Sequence, residues 1–263
     1  MQLGLKLYST EIALIPAAKK LQEQSFFDFI ELYVVPNSYK NNIDQWMHFD
    51  VQFLIHAPHT AHGVNLANSE LLRSNMEVYQ EVKAFSDALQ SKYIIVHGGS
   101  DGTLEEVIHQ LGIIEDDRIR LENKPLKGLN GEICRGCSPE EFRQIDEYGV
   151  LKGIVLDFGH AIYYSSACGL DYRSVIRGFM EYSPSVYHLS DGIYSSHTDK
   201  HLNIEKGEFN IKELIDFMPE DAMLSLETPR YSKEDLQEFA DDVNVLKKYL
   251  NQIIVNTDFN NGT

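Results

Sequence analysis

Short apolar runs recur along the chain, spaced so that a helix fits between one and the next. The runs are Leu3–Leu7, Phe29–Val34, Val51–Ile55, Tyr93–Val96, Arg118–Leu121, Gly153–Leu156, Ser185–Leu189 and Ala222–Leu226. Their length is that of a buried strand. Between them lie stretches of helical patterning, among them Ile12–Gln24, Ser69–Leu89, Pro139–Tyr148, Tyr172–Tyr182, Ile211–Met218 and Ser232–Leu250. Ser138 followed by Pro139, Glu140 and Glu141 reads as a helix start with proline in its first turn, and Ser232 with Glu234 and Asp235 behind it reads similarly.

Strands that alternate with helices favour a parallel sheet. Eight of them, closed on themselves, make a (β/α)8 TIM barrel, and 263 residues fit the size of one. The competing fold is an open doubly wound sheet, but no glycine-rich phosphate loop stands near the start to favour it. No linker, repeat or low-complexity segment divides the chain. A single domain over residues 1–263 is expected, with 256–263 as a flexible tail.

Composition narrows the picture. No apolar run reaches the length of a transmembrane helix, and the first residues lack the charged and apolar regions of a signal peptide. The three cysteines, Cys134, Cys137 and Cys168, suit a reducing cytoplasm better than a disulfide scaffold. Cys134-Arg-Gly-Cys137 has no second cysteine pair with which to form a zinc site, and packing within a loop is its expected role. The formal charge of −17 weakens a generic nucleic-acid function, because phosphate contacts dominate that affinity. Nothing in the sequence calls for a membrane or an obligate protein partner.

Metal-type residues stand where the strands end. Ile55 is followed by His56, Val96 by His97, Leu121 by Glu122 and Leu226 by Glu227. Leu156 is followed by Asp157, with His160 three residues on; His188 lies within the seventh run, and Asp199 and His201 share the loop after it. The C-terminal ends of the strands are the catalytic face of such a barrel. There, residues distant in sequence converge on one axis. So many carboxylates and imidazoles in one place need compensating positive charge. Imidazole with carboxylate and no thiolate suits zinc, with manganese and iron as the alternatives, and the set exceeds the ligands of a single ion.

On these residues the chain resembles endonuclease IV, the AP endonuclease family 2, within the wider xylose isomerase-like barrels. The resemblance runs from about Phe53 to Glu227. It is carried by Ile55-His-Ala-Pro58, Val96-His-Gly-Gly-Ser100, Leu121-Glu-Asn123, Leu156-Asp-Phe-Gly-His-Ala161, His188-Leu-Ser-Asp191, Asp199-Lys-His201 and Leu226-Glu-Thr228. It implies three zinc ions: His56 and His97 on the first, Glu122 bridging the first and second, Asp157, His188 and Glu227 on the second, and His160, Asp199 and His201 on the third. It also implies hydrolysis of a phosphodiester, with abasic DNA as the family substrate, by a hydroxide that bridges the ions and is oriented by Glu122.

Outside the ligand set the pattern differs. Leu5-Lys-Leu-Tyr-Ser-Thr10 stands in place of the family's small-residue loop, and Glu31-Leu-Tyr-Val-Val-Pro36 in place of its basic and aromatic DNA contacts. His59 stands near the position of the family's DNA-wedging aromatic. Glu31 in an Ile-Glu-Leu setting looks more like the sugar isomerases and epimerases, which need a smaller Glu/Asp/His/Glu set. A sugar isomerase or epimerase, or an enzyme of a small phosphorylated sugar, is therefore the alternative. In it Glu122 and Glu227 would serve as ligands or acid/base groups. His59, Asp191 and Glu31 are the expected substrate contacts.

Overall fold

The computed structural model describes residues 1–260, and for residues 251–260 the backbone alone. The elements in chain order are β1 (Gln2–Tyr8), α1 (Ile15–Glu23), β2 (Phe29–Tyr33), α2 (Tyr39–Met47), β3 (Gln52–His56), α3 (Leu72–Ala88), β4 (Ile94–His97), α4 (Leu104–Ile114), β5 (Ile119–Glu122), α5 (Pro139–Glu147), β6 (Ile154–Asp157), α6 (Phe158–Cys168), α7 (Tyr172–Met180), β7 (Val186–Leu189), α8 (Ile211–Asp216), β8 (Met223–Leu226) and α9 (Gln237–Asn260). The strands pair in sequence order, all parallel, and β8 returns to β1 to close the barrel. This is the TIM barrel expected from the alternation of runs. Of the expected tail over 256–263, residues 256–260 continue α9 and 261–263 lie outside the described residues.

Successive side chains on a strand point to opposite faces, and the two faces here have different chemistry. Leu3, Leu5, Leu7, Ile30, Leu32, Ile55, Val96, Leu121, Leu156 and Leu224 face the helices and are buried in one continuous core. The inward positions hold a small separate plug: Phe29, Leu54, Ile95, Val155, Val186 and Met223. Gly4 makes room for it, since a Cβ there would overlap the Phe29 ring and come within 2.8 Å of Ser225 Oγ. Two residues further along each of these strands, on the same inward face, stand Glu31, His56, His97, Asp157, His188 and Ser225. One turn of the pleat thus changes the barrel interior from apolar to ionisable, and the change falls at the C-terminal ends.

Local sequence accounts for the start of α5. Ser138 Oγ accepts from Glu141 N at 3.1 Å and caps α5 behind Pro139. Ser232 behaves differently from its expected role. Its Oγ accepts from the amides of Glu234 and Asp235, both at 3.2 Å, in a closed local turn, and α9 starts only at Gln237. Such a side-chain bond competes with the helix rather than nucleating it. Among the described residues no helix is long and apolar enough to cross a membrane.

Candidate metal centre

The polar layer opens into a cavity of about 600 Å³ at the C-terminal ends of the strands. Lys6, Tyr33, His56, His59, His97, Glu122, Lys124, His160, Asp199, His201 and Glu227 line it. Glu122, at the end of β5, is the hub. Its Oε2 lies 3.2 Å from His56 Nε2, 3.0 Å from His97 Nε2 and 3.4 Å from His188 Nδ1, and its Oε1 lies 3.1 Å from His160 Nδ1.

Donor atoms gather in four groups, each within 4.8 Å: His56 with His97 and Glu122, His160 with Asp199 and His201, Glu122 with Asp157 and His188, and Glu31 with His188 and Glu227. The first two bring together residues that were expected to share an ion. The second zinc set is divided, because Glu227 gathers with Glu31 and His188 rather than with Asp157. Glu227 also takes the Lys6 ammonium.

The imidazoles are oriented as ligands usually are. A ligating histidine commonly donates its other ring N–H to a carbonyl or carboxylate, which fixes its tautomer and aim. His56 donates Nδ1–H to Ala57 O at 2.8 Å, and His160 donates Nδ1–H to Asn123 O at 2.8 Å. His201 does the same to Glu227 O. In each, Nε2 then faces a carboxylate: Glu122 for His56, and Asp199 for His160 and His201. His188 is turned the other way. Its Nε2 donates to Glu31 Oε2 at 2.9 Å. Its Nδ1 is buried 2.8 Å from Glu227 Oε1 without hydrogen-bond geometry. A buried ring nitrogen that makes no hydrogen bond, close to oxygens of Glu122 and Glu227, suits a metal ion, so the donor set fits divalent metal.

Neighbouring loops lock these positions. Asp157 Oδ1 caps α6 by accepting from His160 N at 2.7 Å, which is why the Asp-Phe-Gly-His spacing delivers both side chains to one place. Asn123 clamps the ends of β5 and β6 together, accepting from Asp157 N at 2.7 Å and donating to Asp157 O at 2.9 Å. A Cβ on Gly98 would come within 2.6 Å of Arg135 O, so only glycine lets the 124–136 segment lie against the end of β4. Cys134 is buried in that segment and Cys137 directly after it; Cys137 Sγ donates to Pro125 O at 3.3 Å, and burial pushes the Cys134 thiol up to about 11.

The electrostatics show how strongly the layer attracts a cation. Burial alone would lower the His160 imidazole, yet Asp157 and Asp199 beside it outweigh burial and Lys124, and raise it to about 10. Burial and Asp199 act likewise in opposition on His201, which rises to about 9. Burial would raise the Glu31 carboxyl, and the charges of His188 and Lys6 hold it at about 2. His59 goes the other way: burial, with Lys124 and His56 nearby, takes it down to about 3. Its ring stacks on His97 at 4.8 Å with an interplanar angle of 11°.

The three residues expected to touch substrate occupy different places. His59 lines the cavity. Glu31 lies fully buried beneath it, held by Lys6, His188 and Ser225. Asp191 is turned away, its two oxygens accepting from the amides of Gly192, Gly207 and Phe209. Lys6 and Lys124 were not among the expected site residues. The alternation Leu3-Gly-Leu-Lys-Leu7 carries the signal for Lys6, since it sets Lys6 on the face opposite three leucines. Lys124 follows Glu122 and Asn123 directly and reaches to 3.3 Å from His160 Nε2.

No family model matches the sequence, and a search of curated proteins gives no match. Among solved structures the chain is similar to a D-tagatose 3-epimerase-like protein, with TM-score 0.75 and 22% identity over 98% of this chain and 100% of that one. It is similar to endonuclease IV from Thermus thermophilus, with TM-score 0.69 and 19% identity over 96% and 100%. A further Thermus thermophilus protein, from a crystal soaked with ZnCl2, matches with TM-score 0.63 and 17% identity over 92% and 98%. At these identities what is shared is the architecture, the (β/α)8 barrel.

Proposed function

We propose that the protein is a metal-dependent phosphoester hydrolase of the endonuclease IV type. The observation that supports it is the third donor group, His160 with Asp199 and His201, beside the two groups that share Glu122. A one-ion barrel has no need of that group. The first ion would be held by His56, His97 and Glu122, the second by Glu122, Asp157 and His188 with Glu227 in reach, and the third by His160, Asp199 and His201. Zinc suits these donors, with Mn2+ or Fe2+ as substitutes. Bound dications supply Lewis acidity and bring the pKa of water close to neutrality. The protein's own part is to orient. Glu122 is fixed by four imidazoles around it, and His59 with Lys124 on the cavity wall faces the substrate's anionic oxygens. The test is incubation of zinc-loaded protein with an abasic duplex oligonucleotide and with phosphorylated sugars, against a His97→Ala control. Incision of the duplex supports the DNA substrate. No hydrolysis of any phosphoester above the control would overturn the proposal.

A second function is favoured by one observation, the fully buried trio Glu122, Asp157 and His188 with Glu227 nearby, which is also the smaller set of a sugar isomerase or epimerase. There Glu122 and Glu227 would flank the sugar as ligands or proton-transfer groups. Solvent deuterium entering a ketose or aldose at the epimerised carbon supports this chemistry. No exchange across a broad sugar panel counts against it.

A further inference from the structure

Lys6 places an ammonium inside a cluster built to hold metal cations. β1 and β2 register Lys6 opposite Glu31. Lys6 Nζ lies 3.0 Å from Glu31 Oε1 and also donates to Glu227 Oε1. That same Glu227 oxygen lies 2.8 Å from His188 Nδ1, the buried nitrogen that has no hydrogen bond. Lys6 and an ion ligated by His188 therefore contend for one oxygen atom.

The surroundings prevent Lys6 from yielding easily. Glu31 is held from the other side, its Oε2 accepting from His188 Nε2 at 2.9 Å and from Ser225 Oγ at 2.6 Å. Its Oε1 makes no hydrogen bond and has the Lys6 ammonium as its ionic partner. Withdrawal of Lys6 would leave a buried carboxylate oxygen bare, which costs more than the loss of an exposed ion pair. The end of β1 is also anchored, because the Arg230 guanidinium bonds Lys6 O and Glu11. Lys124, the other ammonium in the cavity, stands 4.0 Å from Glu122 Oε1 and belongs to the segment after β5, so it does not share this constraint.

We propose that Lys6 is an internal cation that claims one oxygen of Glu227, leaves the ion at His188 with Glu122, Asp157 and His188 as its principal ligands, and makes that ion the exchangeable member of the cluster. Lys6 is thus a positioning residue for Glu227 and sets the affinity of one site among three. The proposal rests on the metal-dependent function above, and it explains why Glu227 gathers with Glu31 and His188 rather than with Asp157.

The experiment compares the protein with its Lys6→Met and Lys6→Arg variants. Zinc content is measured after dialysis, and the affinity of each ion is measured by competition with a chromophoric chelator. Removal of the unit charge that holds Glu227 Oε1, and release of that oxygen, tightens the weakest ion by at least about tenfold in Lys6→Met. The ion that disappears in His160→Ala keeps its affinity, and Lys6→Arg behaves like the starting protein. An unchanged or weakened last ion in Lys6→Met overturns the proposal. If Lys6→Met does not fold, as judged by circular dichroism, Lys6→Gln takes its place under the same criterion. A starting protein that binds no zinc removes the proposed function and this inference together. A protein that hydrolyses no phosphoester, yet shows the tightening, removes the function alone.

Discussion

His160 Nε2 lies 3.2 Å from Asp199 Oδ2. The contact joins the first turn of α6 to the long segment that follows β7, two parts of the chain that share no strand. His160 spends its other nitrogen on Asn123 O, and Asp199 Oδ2 also faces His201 Nε2 at 2.5 Å, so the three donor atoms converge on one point, as the proposed third ion requires. Replacing His160 by alanine should then remove one ion and spare the rest. Elemental analysis of zinc-loaded His160→Ala is expected to show a loss of about one ion per chain relative to the parent. Equal zinc content in the two proteins would mean that this group holds none.

The same group makes binding depend on pH. His160 rises to about 10 and His201 to about 9, so near neutral pH both imidazoles hold protons that an ion must displace. A raised pKa stabilises the protonated form. Metal affinity therefore falls as pH is lowered, climbs with rising pH, and levels off only as pH passes those values. Calorimetry near pH 7 in buffers of different ionisation heat should report about one to two protons released with this ion. Binding without proton release would show that neither imidazole is a ligand.

How much of this was legible in the sequence follows from the range of the interactions involved. The strands could be read because each apolar run is a local pattern, and the convergence of the candidate donor residues because a barrel brings every strand end to one face. His56, His97, Glu122, Asp157 and His188 needed no more than that. Lys6 could be read only by asking which face of β1 each residue takes, and the three leucines drew attention to the other face. The role of Asp191 was beyond local reading, since the amides it binds at Gly207 and Phe209 lie sixteen and eighteen residues away. The division of the second ligand set depends on Lys6 and Glu227, which meet across 221 residues at the closure between β1 and β8.

Gly4 offers a test of the barrel interior that leaves the ligands untouched. Phe29 lies across the space a side chain would need, and its ring belongs to the apolar plug under the polar layer. Gly4→Val must displace that ring or bend β1. The expected cost is about 1–3 kcal/mol, the usual range for overpacking a filled core. Urea denaturation of the variant measures it. A stability equal to the parent would mean the plug is loosely packed.

Asp191 links the stability of a loop to the occupancy of the third donor group. Its carboxylate accepts from Gly192 N at 2.7 Å, Gly207 N at 2.9 Å and Phe209 N at 3.0 Å, closing the segment that carries Asp199 and His201. The backbone bridge between Asp191 and Leu202 ties the same segment a second time. Asp191→Ala leaves three amides without their acceptor, two of them on buried residues, a loss of about 3 kcal/mol where the acceptor is charged. The effect on metal should be selective. The ion of His160, Asp199 and His201 weakens, because two of its ligands ride on the loosened segment, while the ion of His56, His97 and Glu122 keeps its affinity on three rigid strand ends. Asp191→Asn, which retains an acceptor oxygen, should fall between the parent and Asp191→Ala in both respects. Chelator competition on the three proteins separates the ions. A uniform weakening of all of them, or none, would show that the loop does not set the third site.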